Sequence, residues 1–305
     1  MATILKLEQG SSIGATVGLD ISEFLLDGQL RNLSPGTLGI YRRHLEDFAR
    51  WLGDRRTAEI TTQDIRCYLL SLQERRNPGG QRQAYRVLFT FFRWLTDEGI
   101  IPTNPMQRLK APRVPEKLLD PVPLETVAAM LGTCGRSLLD LRDAALLMFL
   151  VDTGARASEV TAVNVGDCDL GSGTVLLRVT KTKRPRAVFL GKRARKALLA
   201  YLRARKAHPT EPLFTTDEGE RLTYWGLRQI LRRRAEKAGV PAPSAHAFRR
   251  AFCLGMLRNG ADVFSVQKLA GHSSLSTTQR YLKQLTEDLE RAHERYSPVD
   301  RLLRR

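Results

Sequence analysis

The sequence predicts a mainly α-helical protein that carries one small β-sheet and divides into two domains. Apolar residues recur at three- and four-residue intervals along most of the chain, which is the spacing of an amphipathic helix. One stretch, Thr174–Thr180, is instead rich in β-branched residues and leucine, and Arg186–Leu190 follows it as a hairpin partner. Four prolines between Lys110 and Pro123 interrupt the helical pattern, because proline fits neither a helix interior nor a central strand.

These features divide the 305 residues into four segments. We expect residues 1–18 to form a flexible arm and residues 19–109 to form a helical domain. Residues 110–123, rich in proline and basic side chains, would then be a semi-rigid linker. Residues 124–305 would form a second domain that combines helices with the hairpin and ends in a C-terminal helix.

Capping signals predict the helix starts of the first domain. Ser34 precedes Pro35, and this pair predicts a helix start because serine caps the free N–H groups and proline suits the first helical position. Thr61–Thr62 predicts the next start. The Asn-Pro-Gly-Gly sequence of Asn77–Gly80 predicts a loop, with a further helix over residues 81–98.

The second domain repeats the helical pattern on both sides of the hairpin. Helices are expected at residues 124–127, 138–151, 156–160, 193–206, 223–238, 246–258, 263–270, 277–282 and 286–296.

The charge balance predicts a polyanionic partner. The chain has 49 Lys and Arg against 32 Asp and Glu, a formal net charge of +17, and basic surfaces gain affinity by releasing counterions from nucleic-acid backbones. Charge alone is equally compatible with DNA, RNA or a membrane surface.

Neither a metal site nor a membrane location is expected. The four cysteines are far apart and form no CxxC pair, so the sequence indicates neither a zinc site nor a disulfide framework. The chain has no signal-peptide pattern at its start and no apolar run long enough to span a bilayer. We therefore expect a cytoplasmic protein, or one that is located wherever its nucleic acid is.

Six polar residues of the second domain lie at the ends or first turns of these elements: Arg156, Lys181, His246, Arg249, His272 and Tyr281. Each has an ordinary structural explanation when taken alone. Together they suit phosphoryl transfer, because two guanidiniums can hold the nonbridging oxygens of one phosphate. A lysine can protonate a leaving alkoxide, and a histidine can accept the proton of a tyrosine nucleophile.

The order and spacing of these residues resemble those of the tyrosine recombinases, the phage-type integrases, and especially the bacterial chromosome-dimer resolvases. The family pattern is Thr-Gly-x-Arg-x-Ser-Glu, a hairpin lysine, His-x-x-Arg, Gly-His, and a tyrosine nine residues later. This chain has Thr153–Glu159, Lys181, His246-x-x-Arg249, Gly271-His272 and Tyr281. The match covers about residues 124–296, and residues 19–109 resemble the family's core-binding domain, which closes over the other face of DNA.

The resemblance implies a covalent reaction. Tyr281 would attack the scissile phosphate, forming a 3′-phosphotyrosyl link and a free 5′-hydroxyl, and His246 would act as acid or base. Lys181 would protonate the 5′ leaving oxygen. Lys183 competes for this role, and the family's hairpin, counted back from the strand that follows, favours Lys181.

The resemblance also implies how the phosphate is held. Arg156 and Arg249 would bind it, and His272 would donate to a nonbridging oxygen. Glu159 would orient the guanidinium of Arg156. No cofactor is expected, since the phosphotyrosine conserves the bond energy needed for rejoining.

Five further basic residues are candidates for DNA contacts: Arg42, Arg43, Lys183, Arg184 and Arg250. Arg250 stands where the family usually has a second histidine, so altered packing or an extra phosphate contact is expected there. The family's partners would be double-stranded DNA with inverted half-sites and further protomers, in a tetramer coupled through the C-terminal helix. A sister recombinase or accessory protein is a further expected partner.

The resemblance predicts a site-specific recombinase that works through a Holliday junction. Two alternatives share part of the pattern. A type IB topoisomerase would use the same chemistry to relax DNA as a monomer. A catalytically silent DNA-binding protein would keep the basic surface but would tolerate loss of Lys181 or Tyr281.

Overall fold

The computed structural model describes residues 16–115, 120–180 and 184–272, together with Ser297 and Val299. The chain forms two compact units, Met1–Lys117 and Leu118–Arg305. A mainly helical fold with one small sheet is confirmed. Among the described helices, none has both the length and the apolar character that a bilayer crossing requires.

The described residues of the first unit form four α-helices: α1 (Val17–Leu30), α2 (Pro35–Leu52), α3 (Thr62–Ser71) and α4 (Pro78–Asp97). Their apolar faces meet in a core rich in aromatic rings. Phe48 of α2 packs edge-on against Tyr68 of α3, with ring centroids 4.9 Å apart. Phe24 of α1 makes a similar contact with Phe91 of α4 at 5.5 Å. The α1 helix begins at Val17, one residue before the expected end of the N-terminal arm at residue 18.

Side-chain caps define where three of these helices begin. Ser34 accepts the backbone N–H of Thr37, and Thr61 caps α3 in the same way, as the sequence predicts. The prediction of a loop at Asn77–Gly80 was wrong. Asn77 is a helix cap whose side chain accepts the backbone N–H of Gly80 at 2.8 Å, and Pro78 is the first residue of α4. Proline and glycine are tolerated there because the first turn makes few intrahelical hydrogen bonds.

The second unit contains seven helices and three strands among its described residues. In chain order they are α5 (Leu124–Gly132), α6 (Leu138–Thr153), α7 (Ala157–Ala162), β1 (Cys168–Asp169), β2 (Thr174–Leu177), β3 (Arg186–Phe189), α8 (Lys192–Arg205), α9 (Tyr224–Lys237), α10 (Ala245–Arg258) and α11 (Val263–Ala270).

Helix α6 is the centre of this unit. It is apolar on most of its circumference, with Leu146, Leu147, Phe149 and Leu150 all essentially inaccessible to solvent. A helix with apolar residues on all sides must be covered on all sides, and α8 and α10 pack against it. Val122, within the expected linker segment, is also buried in this core.

The sheet is antiparallel, in the order β1-β2-β3. The β2–β3 hairpin was expected, and its register pairs Val175 with Val188. Strand β2 ends at Leu177, before the expected Thr180. Strand β1 was not expected, because its two residues are too few to show an alternating pattern. The helices expected at residues 277–282 and 286–296 lie outside the described residues.

Candidate active site

The turn between α6 and α7 requires a glycine and presents Arg156. Gly154 ends α6 with φ of +57°, and a Cβ there would lie 2.4 Å from the Phe252 ring. A larger residue would therefore meet both left-handed strain and a steric clash. Arg156 immediately precedes α7, with its side chain 24% exposed. Its guanidinium donates through Nη1 to Glu159 Oε1 and through Nη2 to the Gly271 carbonyl, both at 2.9 Å.

Glu159 is the buried carboxylate of the site. Its Oε2 accepts the backbone N–H of Arg156 at 2.8 Å and the Nη2 of Arg186 at 2.9 Å, and its side chain is 0% exposed. Burial raises the pKa of this carboxyl, but the Arg156 backbone N–H and then the Arg186 and Arg156 guanidiniums outweigh burial, so the net pKa is lowered. Glu159 is therefore ionised and holds two arginines.

Helix α10 carries His246 and Arg249 three residues apart, on neighbouring positions of one face. Ser244 caps this helix by accepting the backbone N–H of Ala247. Arg249 is only 1% exposed, and its Nη1 donates to the Gly154 carbonyl at 2.8 Å. Its Nη2 is buried and has no hydrogen-bond partner among the described residues. Burial, followed by repulsion from Arg156, lowers the pKa of Arg249 to about 10.

His246 has an exposed edge beside these arginines. Partial burial of the imidazole, then the positive charges of Arg250, Arg249 and Arg156, lower its pKa below the ordinary 6.5. The ring is therefore mostly unprotonated at neutral pH, as a proton acceptor must be.

His272 follows the C-terminal end of α11. Gly271 ends that helix with φ of +66°, and the backbone N–H of His272 returns to the Gln267 carbonyl at 3.0 Å. Burial lowers the pKa of His272 to about 4, with further contributions from the cations Arg249 and Arg156. At neutral pH this imidazole is neutral and can donate one N–H.

The site contains a cavity of about 290 Å³. It is lined by Ala155, Arg156, Ala157, Ser158, Tyr224, Ser244, Ala245, His246 and Arg249. His272 adjoins this group because Arg156 donates to the carbonyl of the preceding Gly271. The arrangement concentrates positive charge around a small space, which suits an anion of the size of a phosphate.

Several predicted residues lie elsewhere or outside the described residues. Lys181, Lys183 and Tyr281 lie outside them. In the first unit, Arg42 and Arg43 are exposed on α2, and Arg184 is exposed in the second unit.

Arg250 takes part in packing. Its Nε donates to the Asp120 carbonyl at 2.9 Å, which joins α10 to the segment before α5.

The large polar side chains of Tyr224 and Arg186 also belong to the site, and neither was predicted. Tyr224 lines the cavity from the first turn of α9, and no sequence signal distinguishes it from an ordinary surface tyrosine. Arg186 contacts Glu159 directly, and here a signal exists. In β3 the inward positions alternate, so Arg186 shares a face with buried Val188. An arginine at a core-facing strand position is unusual unless it is paired. In the part of the chain that the structure describes, no group of three His, Cys, Asp or Glu side chains could hold a metal ion.

Most of the chain matches known protein families. Residues 122–288 match the phage integrase family, and residues 21–101 match the phage integrase N-terminal SAM-like domain. The chain is 36% identical over 265 residues to the tyrosine recombinase XerC of Roseiflexus castenholzii, covering 82% of this chain and 84% of that protein. It is 31% identical to the tyrosine recombinase XerD of Ralstonia nicotianae, covering 90% and 91% of the two chains.

A solved structure shares the fold. The lambda integrase in a tetramer bound to a Holliday junction has a TM-score of 0.73 at 18% identity, over 89% of this chain and 78% of that one. The chain therefore belongs to the phage integrase family of tyrosine recombinases. It is a site-specific DNA recombinase, an enzyme that breaks and rejoins DNA. The matches do not favour a type IB topoisomerase or a catalytically silent DNA-binding protein.

Proposed function

We propose that Arg156, Arg249 and His272 bind the nonbridging oxygens of one scissile phosphate and stabilise the extra charge of its transition state. One observation carries this assignment: Arg249 has a buried Nη2 without a hydrogen-bond partner among the described residues. Leaving a buried donor unpaired is unfavourable, and a phosphate oxygen would satisfy it with a charge-assisted hydrogen bond. Arg156 adds a second guanidinium beside the same cavity. His272, neutral at pH 7, contributes an N–H without adding further charge.

Tyr281 is the proposed nucleophile. Its phenol oxygen forms a bond to phosphorus while the bond from phosphorus to the 5′ oxygen breaks, which leaves a 3′-phosphotyrosyl link. The proton of the phenol passes to His246, whose lowered pKa makes it available as a base. Lys181 gives a proton to the leaving 5′ oxygen. Rejoining is the reverse reaction with the 5′-hydroxyl of a partner strand, and it conserves the number of phosphodiester bonds.

DNA binding is proposed to use both the domain of residues 19–109 and the domain of residues 124–305, joined by the 110–123 linker after an arm of residues 1–18. The exposed side chains of Arg42, Arg43 and Arg184 support this proposal, and Lys183 and Arg250 are further proposed contacts. The net charge of +17 also supports the proposal, because Lys and Arg side chains neutralise DNA phosphates on binding.

The proposed assembly is a tetramer on two duplexes, each with inverted half-sites, that passes through a Holliday junction. The C-terminal helix would couple neighbouring protomers, and a sister recombinase or accessory protein would be a further partner. The lambda integrase tetramer on a Holliday junction supports this stoichiometry by analogy. The reaction would take place in the cytoplasm, at the nucleoid.

A suicide DNA substrate tests the chemistry. A nick near the scissile phosphate lets the cleaved fragment escape, so that a covalent protein–DNA complex accumulates. We expect wild type to form this complex with attachment at the 3′ end, visible on a denaturing gel, and Tyr281→Phe to form none while still binding the duplex. DNA binding by wild type without any covalent complex, over candidate sites and partners, would contradict the proposal.

A further inference from the structure

Arg186 occupies an unusual position for an arginine, at the start of β3 and on the inward face of the strand. Its side chain is only 14% exposed. The guanidinium has two acceptors on two different elements. Its Nη2 donates to Glu159 Oε2 at 2.9 Å, and its Nη1 donates to the carbonyl of Leu269 in the last turn of α11.

Glu159 therefore lies between two guanidiniums, with one carboxylate oxygen in contact with each. Oε1 accepts from Arg156, and Oε2 accepts from Arg186 and from the Arg156 backbone. One buried negative charge thus holds two positive charges. Without Arg186, Glu159 Oε2 would keep only the hydrogen bond from the Arg156 backbone N–H. The carboxylate would then have one ion pair, with the Arg156 guanidinium at Oε1.

The end of α11 is held in a parallel way. Arg186 donates to the Leu269 carbonyl and Arg156 donates to the Gly271 carbonyl, so both guanidiniums bind the segment that leads into His272. Gly271 also packs closely against Arg186: a Cβ at this glycine would lie 2.7 Å from the Arg186 Nε. The missing side chain of Gly271 lets the two approach.

We propose that Arg186 is a positioning residue for DNA cleavage, which orients Arg156 through Glu159 and His272 through the end of α11. It also joins these groups to the β2–β3 hairpin, whose connecting segment contains Lys181. The inference rests on the phosphate-binding roles proposed for Arg156 and His272. A lysine can replace Arg186 only in part, since a single ammonium lacks the planar fork that reaches a carboxylate and a carbonyl on separate elements.

The test compares Arg186→Gln and Arg186→Lys with wild type in single-turnover cleavage of the suicide substrate at saturating full-length protein. We expect the cleavage rate to fall about 10- to 100-fold for Arg186→Gln, because small misplacements of a reacting group have effects of this size. Arg186→Lys should recover only part of the loss. The dissociation constant for DNA should change less than about threefold, since many phosphate contacts share the affinity.

The matched control is Arg178→Gln. Arg178 belongs to the same hairpin and also pairs with a carboxylate, Asp167, at 2.5 Å, but its side chain is 65% exposed. We expect this variant to cleave at the wild-type rate. Thermal melting of every variant sets the assay temperature below its transition, so that a loss of rate is measured on folded protein.

A change of substrate separates positioning from a purely structural role. A methylphosphonate at the scissile position lacks one charged nonbridging oxygen and needs less stabilisation by Arg156. If Arg186 acts through Arg156, the ratio of wild-type to Arg186→Gln rates should shrink on this substrate. An equal ratio on both substrates would overturn the proposal.

Combining Arg186→Gln with Glu159→Gln tests the route. Residues that share a contact are non-additive, so the double variant should lose less than the product of the two single losses, with the remaining loss due to the separate contact of Arg186 with the end of α11. Multiplied losses would overturn the route through Glu159. Wild-type cleavage rates in both Arg186 variants, with wild type still forming the Tyr281 complex, would overturn this inference alone. Failure of wild type to form that complex would instead contradict the proposed function.

Discussion

Arg234 and Arg249 are both almost completely buried in the second compact unit, at 2% and 1% exposure, but their partners differ. Arg234 uses all three guanidinium nitrogens. Nε donates to Asp143 at 2.7 Å, Nη2 to Asp140 at 2.6 Å and Nη1 to the Thr133 carbonyl at 2.9 Å. Among the described residues, Arg249 makes one such bond, from Nη1 to the Gly154 carbonyl, and its Nη2 has no hydrogen-bond partner.

The pKa values of the two arginines shift in opposite directions for this reason. Burial lowers the pKa of both. At Arg234 the two aspartates outweigh burial and the net pKa is raised. At Arg249 burial and Arg156 lower the pKa to about 10. A buried cation that is fully paired serves the fold, whereas one that is left under-paired keeps its charge available for a ligand.

The largest expected effect is on cleavage. Arg249→Ala, or Arg156→Ala, should reduce the cleavage rate by about 100- to 1,000-fold or more, because each removes a donor that is proposed to stabilise the transition-state phosphate. DNA affinity should stay within a few-fold of wild type. Single-turnover cleavage and a binding titration measure the two quantities on the same DNA. A parallel loss of binding and cleavage would contradict the assignment.

The free energy of unfolding should depend more on Arg234 than on Arg249, which is the reverse of the order expected for cleavage. Arg234→Met leaves Asp143 and Asp140 without this cation and should lower the free energy of unfolding by about 3–5 kcal/mol, the usual effect of breaking a buried ion pair. Arg249→Met loses one hydrogen bond, worth about 1 kcal/mol, and relieves repulsion with Arg156, so a smaller loss is expected. Denaturant unfolding of the two variants measures this difference. Equal losses of unfolding free energy would contradict the distinction between a fully paired Arg234 and an under-paired Arg249.

The smallest effect is on the titration of His272. Arg249→Met should raise the pKa of His272 from about 4 towards 6.5, in part only, because burial is the larger cause. Arg234→Met should leave it unchanged. Histidine NMR signals followed against pH measure both values.

The lowered pKa of His272 should also make the stability of the folded protein depend on pH. Since the pKa of His272 is lower in the folded chain than the ordinary 6.5, the unfolded chain binds more protons between these two values. Stability should therefore fall as the pH decreases from about 6.5 to 4, and less steeply in His272→Gln. Identical slopes in the variant and in wild type would contradict this linkage.

Local patterns were sufficient to predict much of the fold. Ser34 and Thr61 cap helices where the sequence indicates, since a cap involves only residues three or four positions apart. The same rules were misapplied at Asn77–Gly80, where proline and glycine belong to a first helical turn. Strand β1 was missed because it exists only through pairing with β2.

The sequence by itself determined the reaction class. The order and spacing of Arg156, His246-x-x-Arg249 and Gly271-His272 can be read directly from the sequence, because the motif is defined by residue types and their separations along the chain. Only the tertiary structure decided how these groups are charged and held. Arg156 meets the Gly271 carbonyl across 115 residues of chain, and Arg249 meets the Gly154 carbonyl across 95. Burial and repulsion between cations arise from neighbours brought together by folding. The lowered pKa values and the contacts of Arg186 with Glu159 and Leu269 therefore could not be predicted from spacing.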